Sequence, residues 1–286
     1  MIASAFALLS LAFPPVSIVS SAAVALVTLR HGSKEGLWIL ACASLAAAVL
    51  SAVVMGNYQF ALLYGVILWT PVWLVASVLR TSRNLATAIE TAVLLALAVI
   101  LAFYLYQPDP ALFWRQILEQ MLQAMQGANP DVSSETMTQS ADVFAHYMTG
   151  GVAAGSLFGL LFGLFLGRGW QASLYNPGGF KQEYLSLKAH KSLALASLLL
   201  CVLGGLASGL IAEICWNLVM VLFVLYTVLG ASVLHTAFAG MNSARFMVPF
   251  LYATLLIIPH VMVLVAILGV LDTGLDLRSK FKSNGA

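Results

Sequence analysis

Charged residues are too scarce in this chain for a water-soluble fold. They make up 8% of its 286 residues, against roughly 25% in ordinary soluble domains. The basic residues sit in short loops, not in a stripe with interleaved aromatics, and the net charge is only +2, so nucleic-acid binding is unsupported. Cysteine is equally sparse: Cys42, Cys201 and Cys215 lie within or at the edge of apolar runs without metal-ligand spacing, which reads as small buried apolar side chains. No pair of histidines four apart with a carboxylate appears, and no strand-turn-helix serine elbow. No metal, cofactor or catalytic set is therefore expected, and the protein is read as non-enzymatic.

What fills the chain instead is hydrophobic sequence, 61% of it. The apolar residues fall in runs of about 20, the length a helix needs to cross a hydrocarbon core roughly 30 Å thick at 1.5 Å per residue. The runs are continuously apolar and do not alternate, which excludes a membrane barrel. The expected fold is all-α: a polytopic membrane helix bundle of about eight transmembrane helices, forming a single integral membrane domain over 1–286. The spans are 2–29, 36–55, 58–79, 85–106, 149–167, 192–211, 214–238 and 246–270. No Lys or Arg precedes the first run, so it is read as a retained span and not a signal peptide. Pro14 and Pro15 near its middle imply either one kinked helix or two half-helices.

Lys and Arg in short loops stay on the cytoplasmic side. Arg30 with Lys34, Arg80 with Arg83, and Arg168 with Lys181, Lys188 and Lys191 occupy alternate loops, whereas the turns at Asn57 and Glu213 carry none. The segment 107–148 has Arg115 against Asp109, Glu119, Asp131, Glu135 and Asp142 and should face the periplasm. Three spans after the most basic loop would carry Arg278, Lys280 and Lys282 outside, against the same rule. Either a re-entrant segment lies among those spans or the tail departs from the bias.

The outward segment has its own pattern. Phe113, Trp114, Ile117, Leu118, Met121, Leu122 and Met125 recur at helical spacing opposite a polar face, so an amphipathic helix is expected. Asn129 and Pro130 should break it. A second helix is predicted after Ser133, with Met137, Ala141, Phe144 and Met148 on one side. The pair reads either as a structural cap or as a gate.

Gly151, Gly155, Gly159, Gly163 and Gly167 stand at strict four-residue spacing in one span. Such a face lets another backbone approach closely, because lipid gives no hydrophobic reward for helix contact. The 192–211 span, with Gly204, Gly205, Ser208 and Gly209, is the candidate partner.

Ionisable residues within apolar runs cost about 2.5–3.5 kcal/mol at mid-span on insertion scales, so each is a functional candidate, and Asn217 adds a polar group near Glu213. The candidates are Glu90, Asn217, His235 and His260, the last behind Pro259. Their structural readings are a snorkelling Glu90 and His235 and a neutral His260 bonded to a neighbouring helix. Asn176, Pro177, Gly178, Gly179 and Phe180 form a turn in the most basic loop, before a short interfacial helix from Lys181. It reads as a topology determinant or as a dock for anionic headgroups or a cytoplasmic partner.

Leu174–Tyr184 (LYNPGGFKQEY), the Leu234–His235 pair and the closing Gly269–Arg278 (GVLDTGLDLR) resemble the YybS-like family of predicted bacterial inner-membrane proteins. The similarity covers most of the chain and concentrates in its second half; Gly274 replaces a recurrent aromatic. That family is similar in hydropathy to the S components of energy-coupling-factor transporters. The resemblance implies a multi-helix bundle in a bacterial inner membrane, with a pocket for a small molecule. Small-residue spacings at Ala3 and Ala7, and at Ser17, Ser21 and Ala25, would then suit docking of a transporter scaffold helix.

The expected function is that of a multi-pass inner-membrane protein that binds or transports a small molecule. The pocket would lie between helices, be lined by Glu90, Asn217, His235 and His260, and be covered by 107–148. The alternative is a membrane scaffold or assembly factor that docks other envelope proteins. The lipid bilayer is the partner common to both.

Overall fold

The computed structural model describes residues 16–59, 65–128, 134–239, 241 and 243–279. Every regular element among them is helical. The order is α1 (Val16–His31), α2 (Ser33–Met55), α3 (Gly65–Ser82, opening with a π turn over Gly65–Trp69), α4 (Leu85–Tyr106), α5 (Pro110–Ala128), α6 (Ser134–Ala145), α7 (Met148–Tyr175), α8 (Gly179–Leu185), α9 (Lys191–Leu206), α10 (Gly209–Ala239), α11 (Ala244–Ile257) and α12 (Val261–Leu275). Among the described residues, five stretches are long and apolar enough to cross a membrane: Ser33–Val53, Gly65–Ser82, Leu85–Tyr106, Met148–Tyr175 and Gly209–Ala239. The protein is an all-α integral membrane bundle.

α10 is apolar on every side, and a helix of that kind belongs in the centre of a bundle. Val221, Leu222, Val224, Leu225 and Leu229 are buried there, in one core with Val72 and Val75 of α3, Ile89 and Val93 of α4, and Leu157, Leu161 and Leu164 of α7. α4 begins at Asn84, whose side chain accepts from the backbone N–H groups of Ala86 and Thr87 and so caps the first turn. α2 stops at Gly56, which takes the left-handed conformation (φ 68°). α1 is tied to α3 by Trp69 Nε1 donating to Ser20 Oγ (2.9 Å) and by Arg80 donating to the Leu29 carbonyl (2.7 Å).

The glycine face of α7 does not pack on the 192–211 segment as expected; it packs on α1. A methyl at Gly163 would lie 2.7 Å from Ser21 Cβ, and one at Gly167 would lie 2.9 Å from both the Ala22 carbonyl oxygen and Ala25 Cβ. Ser21 and Ala25, read as a surface for a separate scaffold helix, are thus consumed within the chain. The N-terminal half of the stripe differs: a methyl at Gly151, Gly155 or Gly159 meets no described atom within 4 Å. The partner of α9 is the start of α10, where Trp216 Nε1 donates to the Gly204 carbonyl (3.0 Å). The Ala3 and Ala7 spacing, the Pro14–Pro15 kink and the Asn129–Pro130 break lie outside the described residues.

The expected span 246–270 is two helices, because Pro259 lacks an N–H and disfavours helical backbone in the residue before it. α11 and α12 have 14 and 15 residues, about 21–23 Å at 1.5 Å each, short of a core roughly 30 Å thick. The chain then returns to the basic loop, where Arg278 Nη1 donates to the Leu185 carbonyl (2.9 Å) and Lys188 Nζ pairs with Asp276 (2.7 Å). Arg278 therefore sits with its fellow cations, and the conflict with the charge rule disappears at that residue. Lys280 and Lys282 lie outside the described residues. Asp272 and Arg278 form a buried pair (2.9 Å), with side chains 3% and 4% exposed.

α5 and α6 are both present in the outward segment. Arg115 of α5 ties them together through Asp142 of α6 (3.0 Å), and it also pairs with Glu119 one turn on (2.9 Å).

Candidate functional site

The four polar residues singled out within apolar runs do not line one pocket. Glu90 is half-buried near the start of α4, and its carboxylate accepts the His190 backbone N–H (2.6 Å), which ties α4 to the start of α9. His260 is exposed at the break before α12 and makes no side-chain hydrogen bond among the described residues. Asn217 is fully buried near the N-terminal end of α10. Its amide donates to Tyr104 Oη (3.1 Å), the His146 carbonyl (2.7 Å) and the Glu213 carbonyl (2.8 Å), and accepts the Gly150 N–H (2.5 Å). Every polar atom of the side chain is used, so its role is to bind helices together. Only His235 faces a large cavity. The reason for the scatter is positional: Glu90 lies at the basic-loop end of its helix, Asn217 at the opposite end of α10, and His260 in the Pro259 break.

The His235 cavity is a groove of about 1140 Å³ between α7, α8, α10 and α11. Phe162, Phe165 and Trp170 of α7 supply an aromatic wall, and Phe180, Lys181 and Tyr184 of α8 supply a second side. The turn at Asn176–Gly178 aims α8 inward; Gly178 has φ 85°, a conformation glycine adopts without strain. His235 lies between the rings of Tyr184 (5.3 Å) and Tyr252 (5.5 Å), both edge-on. Its Nε2 is buried and has no hydrogen-bond partner. Burial and the adjacent Tyr252 push the Tyr184 phenol well above its ordinary value, so it remains a neutral donor; it reaches Tyr252 Oη and the Val228 carbonyl at 3.5 Å. Ser232 Oγ of α10 donates to the Tyr184 carbonyl and anchors α8 to the core.

This groove combines a broad apolar and aromatic body with a few polar groups in one region, the usual make-up of a small-molecule site. Lys181 supplies a positive charge and His235 an imidazole nitrogen. An elongated or ring-bearing molecule with an acidic or hydrogen-bonding end matches that chemistry.

A second cavity, about 430 Å³, lies between α3, α4 and α7 and is roofed by Trp114 of α5, whose Nε1 donates to Thr149 Oγ1 (2.8 Å). The 107–148 segment does cover a chamber, but its lining is aliphatic and aromatic apart from Thr149 and Ser156, and includes none of the four candidates. Beside it lies a polar cluster that reading the spans one at a time missed. Glu213, with 11% of its side chain exposed, pairs with His146 (2.5 Å) and accepts the Tyr104 hydroxyl (2.7 Å).

Tyr184, Tyr252 and the α7 aromatics were likewise absent from the expected set. Aromatics are common in apolar runs, and nothing in their spacing distinguishes a groove wall from lipid-facing surface. The available signal was the Asn176–Phe180 turn, which forces the chain back against α7. Among the described residues, no three His, Cys, Asp or Glu side chains gather as a metal site.

Compared with protein families, the chain matches, over residues 1–273, the one described as Predicted membrane protein (DUF2232). No curated protein and no solved structure matches it.

Proposed function

The chain belongs to that family of membrane proteins, and from this premise we propose that it binds a small amphiphilic molecule, entering from the bilayer, in the His235 groove. The observation that carries the reading is the His235 imidazole: its Nε2 is buried without a protein partner in a wide aromatic groove that also holds Lys181. A buried polar atom left unpaired costs about 1–3 kcal/mol, and a ligand acid or hydroxyl would recover that cost. The sequence stretches that resemble the YybS-like family support the same location. Pro177, Gly178, Phe180, Lys181, Tyr184 and His235 line the groove, while Arg278 of the closing stretch holds Leu185 at its edge.

Binding here is non-enzymatic, since the groove offers no nucleophile paired to a base. The likeness to transporter S components and the alternating basic loops support a bacterial inner-membrane protein that hands on or moves its ligand. A second reading, a scaffold for other envelope proteins, draws on the outward glycines Gly151, Gly155 and Gly159, which face no described atom.

The test uses the full chain in mild detergent and a dansylated long-chain fatty acid as fluorescent probe. Saturable binding is expected. His235→Leu should weaken it about tenfold or more, as the loss of a hydrogen bond to a charged group implies. Ser173→Trp should block the groove, while Val152→Trp, in the second cavity, should leave binding unchanged. Equal binding by wild type, His235→Leu and Ser173→Trp would refute the site. Co-purification of an ATPase pair would favour coupled uptake; envelope-assembly partners without one would favour the scaffold.

A further inference from the structure

On another face of the α7–α8 corner, a polar pocket of about 430 Å³ has a floor of Leu29 and Leu79 and walls that include Arg80, Arg83, Arg168 and Glu183. Its cations arrive from separate elements. Arg80 sits near the end of α3, Arg83 at its cap and Arg168 in α7. Their guanidiniums are not equally engaged. Arg168 is held by Glu183 through Nε (3.0 Å) and Nη2 and by Gln171 through Nη1 (3.0 Å), which spends the only carboxylate in the lining. Arg80 uses one Nη1 hydrogen on the Leu29 carbonyl (2.7 Å). Arg83 makes no side-chain hydrogen bond or ion pair to any described residue. Two guanidinium forks with donors to spare therefore share one cavity with an arginine already fixed in place. Glu35 approaches Arg80 across Gly32 without pairing with it.

A topology signal needs only cations somewhere in a cytoplasmic loop, each free in water. It does not require them to converge on one pocket with a buried leucine floor. Arg83 also occupies the left-handed helix cap (φ 53°), a position where glycine or asparagine is usual, as Asp276 does at the end of α12 (φ 48°).

We propose that this pocket binds a phosphoryl group, gripped by the forks of Arg80 and Arg83 with Arg168 contributing charge from behind. Planar guanidiniums pair with phosphate oxygens two at a time, which a lysine cluster cannot do. The excess of three arginines over one glutamate in the lining leaves the pocket electropositive. It lies at the basic-loop end of the spans, so the phosphoryl group belongs either to an anionic phospholipid headgroup or to a soluble phosphorylated molecule. The site is separate from the His235 groove, which Arg80 and Arg83 do not line.

The experiment takes the full chain in two forms. In detergent, inorganic pyrophosphate is titrated while thermal unfolding is followed. In phosphatidylcholine nanodiscs with and without phosphatidylglycerol, retained lipid is counted by native mass spectrometry. A saturable pyrophosphate shift assigns a soluble ligand, and selective retention of phosphatidylglycerol assigns a headgroup. In either case Arg83→Gln should weaken binding about tenfold or more, while Arg83→Lys keeps part of it because charge remains without the fork. Lys181→Gln, which alters only the neighbouring groove, should leave this binding unchanged. Failure of both probes to bind saturably would overturn the proposal. So would equal loss in Lys181→Gln and Arg83→Gln, the mark of unspecific charge attraction. Both results are independent of the fatty-acid assay on His235.

Discussion

Gly269 and Gly274 stand in the same helix, α12, and the same substitution should act on them with opposite sign. At Gly269 an added methyl would overlap the Tyr226 carbonyl oxygen and lie 2.9 Å from the Gly230 backbone nitrogen; at Gly230, facing it, a methyl would strike the Val265 carbonyl. These obstacles are backbone atoms of two crossing helices, so no side chain can swing away and α12 must lift from α10. Overpacking of this kind costs about 1–3 kcal/mol, and the upper end applies where the neighbour is rigid. Alanine regains about 0.8–1.0 kcal/mol of helix propensity over glycine, which leaves Gly269→Ala less stable by roughly 2 kcal/mol. Gly274 meets no described atom within 4 Å, so Gly274→Ala keeps only the gain, up to about 1 kcal/mol. At about 2–4 °C per kcal/mol for a large chain, the Gly269 variant should melt roughly 4–8 °C below wild type and the Gly274 variant at or above it. Circular dichroism in mild detergent, with size-exclusion of heated samples as a second readout, measures both. A Gly269→Ala protein as stable as Gly274→Ala would show that α10 and α12 do not cross at these glycines.

Three further outcomes follow from the same contacts. Arg278→Leu alone should cost about 3–5 kcal/mol, because it strands a buried Asp272 carboxylate, whereas the double change with Asp272→Leu should recover most of the loss; a double variant as unstable as the single would contradict a simple pair. Asn217→Leu should lower stability by about 1–3 kcal/mol, since the Gly150 N–H loses its acceptor inside the bundle; hydrogen exchange at Gly150, faster than in wild type, localises the effect. After replacement of Cys42, Cys201 and Cys215, single cysteines at Ser186 and Ser279 should react with an impermeant thiol reagent from one side of the membrane and a cysteine at Ser140 from the other. Labelling of Ser140 and Ser186 from the same side would overturn the loop assignment.

Apolar run length made the fold class legible, because lipid imposes the same demand on every span: satisfy the backbone internally and keep charge out. The ends of the runs were less so. The stretch 246–270 reads as continuously oily, and hydropathy alone cannot see that Pro259 divides it into halves too short to cross. The misplaced charge of Arg278 was the better guide, since a re-entrant segment among the last three spans was one of the two explanations it left open. Likewise, the four-residue glycine spacing points to a helix of close contacts, which Gly163 and Gly167 make, but a pattern on one helix does not name its partner. Serine and alanine spacing in α1 matches it as well as the glycines of α9 do, and only the bundle selects α1.

The site was less legible than the fold, for a related physical reason. A polar residue in an oily run announces a cost, and the cost can be met in more than one way. Asn217 meets it with four hydrogen-bonding partners and Glu90 with the His190 backbone N–H at the start of α9, so both are satisfied structural groups. His260 avoids it by standing at a helix break. Of the four candidates only His235 keeps a buried nitrogen unpaired, and what surrounds it comes from two stretches that sequence presents as loop and lipid face, α8 and the aromatic side of α7. The test of a functional polar group in a membrane is therefore whether the protein completes its hydrogen bonds. By that measure the same reasoning that demotes Asn217 promotes Arg83, a charged group with free donors on a shared pocket, although as one cation among several in a basic loop it looked like nothing more than topology.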